Sequence, residues 1–226
     1  LARTLRLARK PLRIPERRAL RWLGRVLGAR TVETPEHRRV LRRFQQFTPP
    51  LAAKATEDTA FYRYGRLLSR NEVGSDPGEL ALSPEEFHAR CAERLADYPH
   101  ALLATATHDH KRGEDLRARL ALLSERPEEW SAWAGRWIER NLPAPDAADQ
   151  LLLLQMTLGI WPPALRADDA PAVDAVRERL AAWQQKALRE AKRHCDWLAP
   201  NPAYEAAAGA CLDRRMGDIY FLRAVK

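Results

Sequence analysis

Residues 108–111, His-Asp-His-Lys, follow an apolar run at residues 101–107 and are the strongest candidates for chemistry in this sequence. If the run is a strand, period-two alternation places His108 and His110 on one side and Asp109 on the other. Three interpretations are open: a metal site on the two imidazoles, a strand-end carboxylate in a sugar-binding cleft, or a polar strand-to-loop junction without function. No third ligand is evident among the remaining histidines, so we expect no metal and favour the sugar-binding cleft.

A second group of functional residue types lies in residues 54–64, where aromatic rings alternate with charged side chains. A pyranose packs its apolar face on a ring, while its hydroxyls need charged, directional partners. The candidate substrate contacts are Lys54, Glu57, Asp58, Tyr62 and Arg63, to which Lys111 and Arg112 are added from beside the first group. The same mixture occurs in polar loops that pack on a core, so by itself it does not distinguish a carbohydrate-binding site from such a loop.

A helix-rich framework with one clear strand would position these residues. The strand is residues 101–107, an apolar run typical of a buried parallel strand with polar residues at its carboxyl end. Apolar spacing and capping signals predict helices at residues 16–27, 35–44, 84–97, 114–124, 149–161, 168–194 and 204–212, with another beginning at Pro127. Thr48-Pro49-Pro50 predicts a turn, followed by a short strand or loop. One or two strands among so many helices do not make a complete α/β domain, which indicates a piece of something larger.

Charge is distributed unevenly along the chain, which carries a net +8 but holds 14 Arg and Lys against 3 Asp and Glu in residues 1–43. A basic segment can bind nucleic acid, but no aromatic interleaving or DNA-reading motif accompanies it, so we expect no nucleic-acid partner. Apolar runs are too short to span a bilayer, and the arginine-rich amino terminus lacks the apolar stretch of a signal peptide. The three cysteines are widely spaced, as is typical of reduced thiols, so we expect a cytoplasmic protein without a membrane partner.

Short motifs along the chain match one known family. They are FQQFTPP at 44–50, Ala53-Lys54, EDTAFYRY at 57–64, NEVG at 71–74, Thr107-His108-Asp109, Lys111-Arg112, Glu114-Asp115, Arg117-Ala118-Arg119, Lys186-Ala187, Arg189-Glu190-Ala191-Lys192, Trp197, Pro200 and Tyr204-Glu205. In these motifs, and in their order over residues 40–208, the sequence resembles the maltooligosyl trehalose synthases of the α-amylase superfamily. The first forty residues match nothing in that pattern.

The resemblance implies a (β/α)8-barrel enzyme that needs no cofactor. Such an enzyme rearranges the reducing-end α-1,4 linkage of a maltooligosaccharide into an α,α-1,1 linkage, by the chemistry of a retaining glycosidase and without net hydrolysis. The resemblance also implies that Asp109 stabilises the oxocarbenium-like transition state and that His108 hydrogen-bonds the same sugar. Lys54 and Lys111 match lysines that hold the reducing-end glucose, which must turn and attack again rather than escape.

Two positions depart from the family pattern. His110 stands where the family has a small threonine, beside the implied stabilising carboxylate. Ala55 stands where the family has glycine, directly after Lys54. The first departure concerns the shape of the acceptor subsite, and the second concerns the local path of the backbone.

The family's nucleophilic Asp and its acid/base Glu lie on barrel strands upstream of the matched residues. We therefore expect a carboxyl-proximal fragment, inactive by itself, whose partner is the missing upstream strands of the same enzyme. The expected fold is mainly α: one or two short strands of an incomplete (β/α)8 barrel, at residues 101–107 with 52–54 as a candidate neighbour, plus an inserted or appended helical subdomain. The expected segments are 1–43 (basic, helical), 44–126 (partial barrel) and 127–226 (helical subdomain). The alternative is a vestigial, non-catalytic carbohydrate-binding helical module.

Overall fold

Every regular element in the described part of the chain is a helix. The computed structural model describes residues 13–28, 34–79, 81–143 and 145–225. The helices are α1 (Ile14–Leu27), α2 (Pro35–Thr56), α3 (Pro84–Asp97), α4 (Glu114–Ala121), α5 (Pro127–Glu139), α6 (Ala147–Ile160), α7 (Ala170–Ala191), α8 (Pro202–Met216) and α9 (Ile219–Val225). Short 3₁₀ helices lie at Ala60–Tyr62, Leu68–Arg70 and Leu122–Ser124. The predominance of helix agrees with the sequence-based expectation, but these residues contain no strand.

The predicted strand at residues 101–107 is wrong. These residues are irregular and exposed, and Leu102 is 99% exposed to solvent. A buried parallel strand needs neighbours for its N–H and C=O groups and a cover over each apolar face. The described residues provide no neighbouring strand, so the run stays irregular and the expected incomplete barrel is absent from this part of the chain.

The predicted turn at Thr48-Pro49-Pro50 and the candidate strand at residues 52–54 are also wrong, because α2 continues through both to Thr56. Each proline inside a helix removes one N–H donor and leaves the carbonyl four residues earlier without its partner. Those carbonyls belong to Gln45 and Gln46, which are exposed, so water can take the place of the lost donors. The solvent-facing position of the helix therefore lets it tolerate the two prolines.

The chain divides into two compact units, Leu1–Lys54 and Ala55–Lys226. In the first unit, Nε2 of His37 in α2 lies 2.7 Å from the carbonyl oxygen of Val26 in α1. No described residue of α1 or α2 is buried. The predicted division of the sequence into residues 1–43, 44–126 and 127–226 stays a prediction.

The core of the second unit is built around α6. This helix is predominantly apolar, is buried over most of its length and packs against α4, α5 and α7. It begins at Asp146, whose side chain accepts the N–H of Asp149, and it ends before Pro162-Pro163. Helix α8 packs on α7, and α9 packs on α8. A predominantly apolar helix without a polar face is typical of the inside of a core, which is where this one lies.

Aromatic side chains join the carboxyl-terminal helix to α5. The rings of Trp133 and Trp137 lie 5.9 Å and 4.9 Å from the ring of Phe221, measured between centroids. Phe221 is fully buried, and Trp137 is nearly so. Edge-to-face and offset arrangements at these distances are favourable for aromatic pairs. The tryptophan stripe of α5 is therefore part of the hydrophobic core.

Helix α3 has no buried residue among its described positions. Its start is as predicted: Ser83 accepts the N–H of Glu86, and the Glu86 side chain accepts the N–H of Ser83. Phe87, Leu95 and the following Tyr98 are exposed. The half-exposed Cys91 lies in this helix, whereas the other two cysteines, Cys195 and Cys211, are buried. In the described part of the chain, no helix is long and apolar enough to cross a membrane.

Two polar side chains and the end of α7 position the segment that follows α2. The side chain of Gln155, in the middle of α6, accepts the N–H of Leu68 at 2.8 Å and donates to the carbonyl oxygen of Gly65 at 2.7 Å. Arg63 donates to the carbonyl oxygens of Ala191 and Lys192, at the end of α7. Because the last carbonyls of a helix lack partners within it, the guanidinium satisfies them and fixes this segment on the helical core.

Candidate functional site

The structure brings Lys111 together with two carboxylates. Its Nζ lies 2.9 Å from Oδ1 of Asp58 and 3.0 Å from Oδ1 of Asp109. The side chains of Lys111 and Asp58 are 11% and 16% exposed, whereas that of Asp109 is 51% exposed. We call these three residues the lysine–carboxylate cluster. Asp58 and Asp109, which are far apart in the sequence, thus meet at the ammonium group of Lys111, and the carboxylate of Asp109 faces solvent.

Electrostatics keep the cluster charged. Burial lowers the pKa of Lys111, but the hydrogen bonds to Asp58 and Asp109 outweigh it, so the pKa stays above its ordinary value. The hydrogen bond from Lys111 lowers the pKa of Asp109. At neutral pH, Asp109 is therefore an ionised, accessible carboxylate held in place by a protonated lysine.

A buried glutamate supports the loop that carries Lys111. Glu72 is 1% exposed, and its Oε1 accepts the backbone N–H of Lys111 at 2.6 Å. Its Oε2 accepts the backbone N–H of Arg112 at 2.9 Å. Glu72 belongs to the NEVG motif, but no local pattern in the sequence indicates this role.

Arg112 is buried, and its predicted role as a substrate contact stays a prediction. The residue is 4% exposed, and its guanidinium donates to the carbonyl oxygen of Asn71 at 2.9 Å. The side-chain amide of Asn71 in turn donates to the carbonyl oxygens of Phe61, at 2.9 Å, and Tyr64. Burial lowers the pKa of Arg112, and the nearby Glu72 opposes that shift. These contacts tie residues 61–64, 71–72 and 111–112 into one network.

Tyr62 and Arg63 contact the helical core. Tyr62 is 4% exposed and packs on Ala187 and Ala191 of α7, and burial raises its pKa. Arg63 reaches the end of the same helix, as described above. The half-buried Glu57 accepts the N–H of Gly74, where the backbone has a φ of +74° that suits glycine. The predicted roles of these residues as substrate contacts stay predictions.

His108 and His110 occupy different surroundings. His108 is exposed beside Asp109. The Nδ1 of His110 accepts the N–H of Thr107 at 2.9 Å and lies 2.7 Å from its hydroxyl oxygen. His110 thus closes the turn at residues 107–110, which gives this departure from the family pattern a local structural role. Lys54 lies in the last turn of α2, in the first compact unit, and is exposed.

In the described part of the chain, the grouping of residues with metal-ligand geometry is Asp146, Asp149 and His194. Nε2 of His194 lies 2.7 Å from Oδ2 of Asp146, and Arg193 donates to the same oxygen at 2.7 Å. The hydroxyl of Tyr204 donates to Oδ2 of Asp149 at 2.6 Å. Arg193 already neutralises the carboxylate of Asp146, and Tyr204 of α8 bonds to Asp149 of α6. The arrangement therefore fits a structural link between α6 and α8 better than a cation site.

Comparison with known proteins supports a specific relationship, although no family model matches the chain. A Mycobacterium tuberculosis protein, provisionally named maltooligosyl trehalose synthase, is 40% identical over 171 residues. The match covers 76% of this chain but 22% of the relative, so the chain spans about a fifth of the length of the curated relatives it matches.

Solved structures agree with this relationship. Maltooligosyltrehalose synthase from Arthrobacter ramosus matches 98% of this chain and 27% of its own, with 33% identity and a TM-score of 0.79. A Sulfolobus tokodaii protein described as a hypothetical maltooligosyl trehalose synthase matches 80% of this chain and 24% of its own, with 35% identity and a TM-score of 0.69. These matches define the chain as the counterpart of a helical portion of much longer proteins. Over that portion it belongs to the maltooligosyl trehalose synthase family, and this confirms the resemblance.

Proposed function

We propose that this chain supplies the reducing-end part of the active site of a maltooligosyl trehalose synthase. The complete enzyme converts the terminal α-1,4 linkage of a maltooligosaccharide into an α,α-1,1 linkage. The observation that carries the proposal is the lysine–carboxylate cluster, which holds the ionised Asp109 at an accessible position in a chain of this family. The relatives give no support to the alternative of a vestigial, non-catalytic module.

Asp109 is the proposed stabiliser of the transition state. Breaking the glycosidic bond develops positive charge at the anomeric carbon, and a fixed carboxylate lowers the energy of that charge. Fixing matters because a preorganised group needs no rearrangement when the charge appears. The bond from Lys111 at 3.0 Å provides that fixing, and His108, exposed beside Asp109, is the proposed second contact to the same sugar.

Lys111 and Lys54 are the proposed contacts to the glucose that leaves and attacks again. A sugar held in place reacts as part of the same complex, which replaces an encounter in solution by an intramolecular step. Glu57, Asp58, Tyr62, Arg63 and Arg112 complete the proposed binding set. Tyr62 and Arg112 are buried, so their part in binding is to support the residues around them.

The nucleophile and the acid/base group are proposed to come from another part of a longer polypeptide. The family implies both groups on barrel strands, and the described residues contain no strand. The 226-residue chain is therefore expected to form no trehalose-capped product by itself. A cytoplasmic location and the absence of a nucleic-acid partner belong to the same proposal.

The test uses the complete native polypeptide that contains this sequence, with maltopentaose as substrate. Asp109→Asn removes the charge but keeps the shape, so we expect the rate of formation of trehalose-capped product to fall about a hundredfold or more. Asp168→Asn is the matched control, because Asp168 is an exposed carboxylate that pairs with Arg166 and is not a member of the cluster. Equal rates for Asp109→Asn and the unsubstituted polypeptide, or product formed by the 226-residue chain, would overturn the proposal.

A further inference from the structure

Glu72 occupies an unusual position for a carboxylate, since it is 1% exposed and lies beneath the loop that carries the proposed site. Its two oxygens accept the backbone N–H groups of consecutive residues, Lys111 and Arg112. Hydrogen bonds to a charged acceptor are stronger than neutral ones, and two parallel bonds also define an orientation. A single carboxylate thus fixes both the place and the direction of the backbone at Lys111.

We propose that Glu72 is a positioning residue, which acts on the reaction only through the loop at residues 107–112. This inference rests on the proposed function, because it needs Lys111 and Asp109 to work on a sugar. Glu72 holds the Lys111 backbone, the Lys111 ammonium holds Asp109, and Asp109 faces the substrate. The first two links are hydrogen bonds of 2.6 Å and 3.0 Å.

The surroundings of Glu72 make the arrangement specific to a carboxylate. The guanidinium of Arg112, also buried, carries the nearby positive charge that a buried carboxylate requires. Arg112 also donates to the carbonyl oxygen of Asn71, so residues 71–72 and 111–112 hold each other by reciprocal bonds. Glutamine in place of Glu72 keeps the volume but has one acceptor oxygen, and its amide group would then face an N–H. One of the two backbone bonds must be lost.

The function of such a residue differs from that of a residue that only stabilises the fold. Its loss displaces Asp109 from the position that favours the transition state, while other contacts still bind the ground-state sugar. We therefore expect kcat to fall while KM changes little, which is the signature of lost transition-state stabilisation. If Glu72 only stabilised the fold, its substitution would lower the amount of folded enzyme and would accelerate hydrogen exchange at amides throughout the core.

The experiment compares Glu72→Gln and Glu72→Ala with Glu79→Gln, each in the complete native polypeptide. Glu79 is an exposed glutamate with a long ion pair to Arg90, so the control repeats the chemical change outside the site. Hydrogen exchange is measured at the amides of Lys111 and Arg112, with amides of α6 as an internal reference. The kinetics of maltopentaose conversion are measured on the same samples.

For Glu72→Gln we expect exchange at Lys111 or Arg112 to accelerate about tenfold, with α6 unchanged. We also expect kcat to fall about tenfold or more, with KM within about twofold. Unchanged exchange at both amides, or exchange that accelerates equally in α6, overturns the positioning role. If Glu72→Ala does not fold, Glu72→Gln decides alone.

The two proposals fail in distinguishable ways. If the unsubstituted polypeptide makes no trehalose-capped product, the proposed function fails, and the exchange result still shows whether Glu72 holds the loop. If the unsubstituted polypeptide is active and Asp109→Asn is not, but Glu72→Gln keeps full kcat, the proposed function stands and the positioning role is rejected.

Discussion

A single lysine in the candidate site balances two carboxylates. The ammonium of Lys111 contacts a carboxylate oxygen of Asp58 and one of Asp109. The buried Glu72 and Arg112 cancel each other beneath them. Asp109 is the exposed member of the cluster, so its negative charge faces solvent. A carbon that becomes positive in the transition state is stabilised by such a charge, whereas a neutral sugar gains less from it.

A second carboxylate, Asp149, provides a prediction on pH dependence. Burial raises its pKa, against the effect of the hydrogen bond that Tyr204 donates to it. The folded state therefore binds the proton more tightly than the unfolded state, and stability should rise as pH falls through the raised pKa towards about 4. In Asp149→Asn this rise should be absent, while the amide oxygen still accepts the bond from Tyr204. The measurement is the free energy of unfolding of both proteins in urea from pH 7 to pH 4.

The informative quantity is the difference between the two proteins, since other titrating groups, Asp146 among them, contribute to both. That difference should grow in favour of the unsubstituted protein as pH falls. Asp168→Asn is the control of opposite sign, because the hydrogen bond from Arg166 lowers the pKa of Asp168 to about 2. The loss in the free energy of unfolding caused by Asp168→Asn should be constant from pH 7 to pH 5 and should diminish below about pH 4. A pH-independent effect of Asp149→Asn would contradict the burial argument.

At the scale of elements, α4 packs tightly against α6 at Gly159. A Cβ added at Gly159 in α6 would lie 2.7 Å from Cγ of Leu116 in α4, too close for an unshifted structure. Gly159→Ala should therefore destabilise the protein by about 1–3 kcal/mol, as overpacking does, less the roughly 1 kcal/mol that alanine gains over glycine in a helix. The free energy of unfolding measured in urea gives the value.

Gly135→Ala is the matched control, because Gly135 lies within α5 and a Cβ there meets no atom within 4 Å. That substitution should stabilise the protein by roughly 0.5–1 kcal/mol. If steric conflict is the cause, Leu116→Ala should cost less in the Gly159→Ala background than alone. Equal stability changes for the two glycines would show that α4 and α6 are packed less tightly than described.

The elements also show which features could be predicted from the sequence. The capping box at Ser83 is local, and it forms as its residue types predict. The strand at residues 101–107 did not form, because a strand depends on neighbours that the described residues do not supply. The role of Glu72 could not be predicted from the sequence, because its partners lie 39 and 40 positions further along the chain and a local pattern carries no information on that pairing.

At the scale of the whole molecule, apolar side chains remain uncovered between α3 and the candidate site. Phe87, Leu95, Tyr98, Leu102 and Leu103 are all more than half exposed, and Leu102 is almost fully so. Several exposed apolar side chains within a short stretch of chain favour association in water. We therefore expect the 226-residue chain to self-associate, and the double substitution Leu102→Ser with Leu103→Ser to reduce that association, as measured by sedimentation velocity over a concentration series.

Leu198→Ser is the control for this prediction. Leu198 is 98% exposed, as Leu102 is, but it lies in the connection between α7 and α8 rather than near α3. A single exposed leucine is ordinary on protein surfaces and drives little association. If Leu198→Ser lowers association as much as the double substitution does, total hydrophobicity rather than this particular surface is responsible.

Of the three cysteines, Cys91 is the one accessible to a labelling reagent. Burial raises the pKa of Cys195 and Cys211, which keeps them in the unreactive thiol form, whereas Cys91 is half-exposed. Cys91 stands four residues from both Phe87 and Leu95, on the same side of α3. An environment-sensitive fluorophore should therefore attach there first, without any substitution, and its emission would register the moment at which another polypeptide covers that helix.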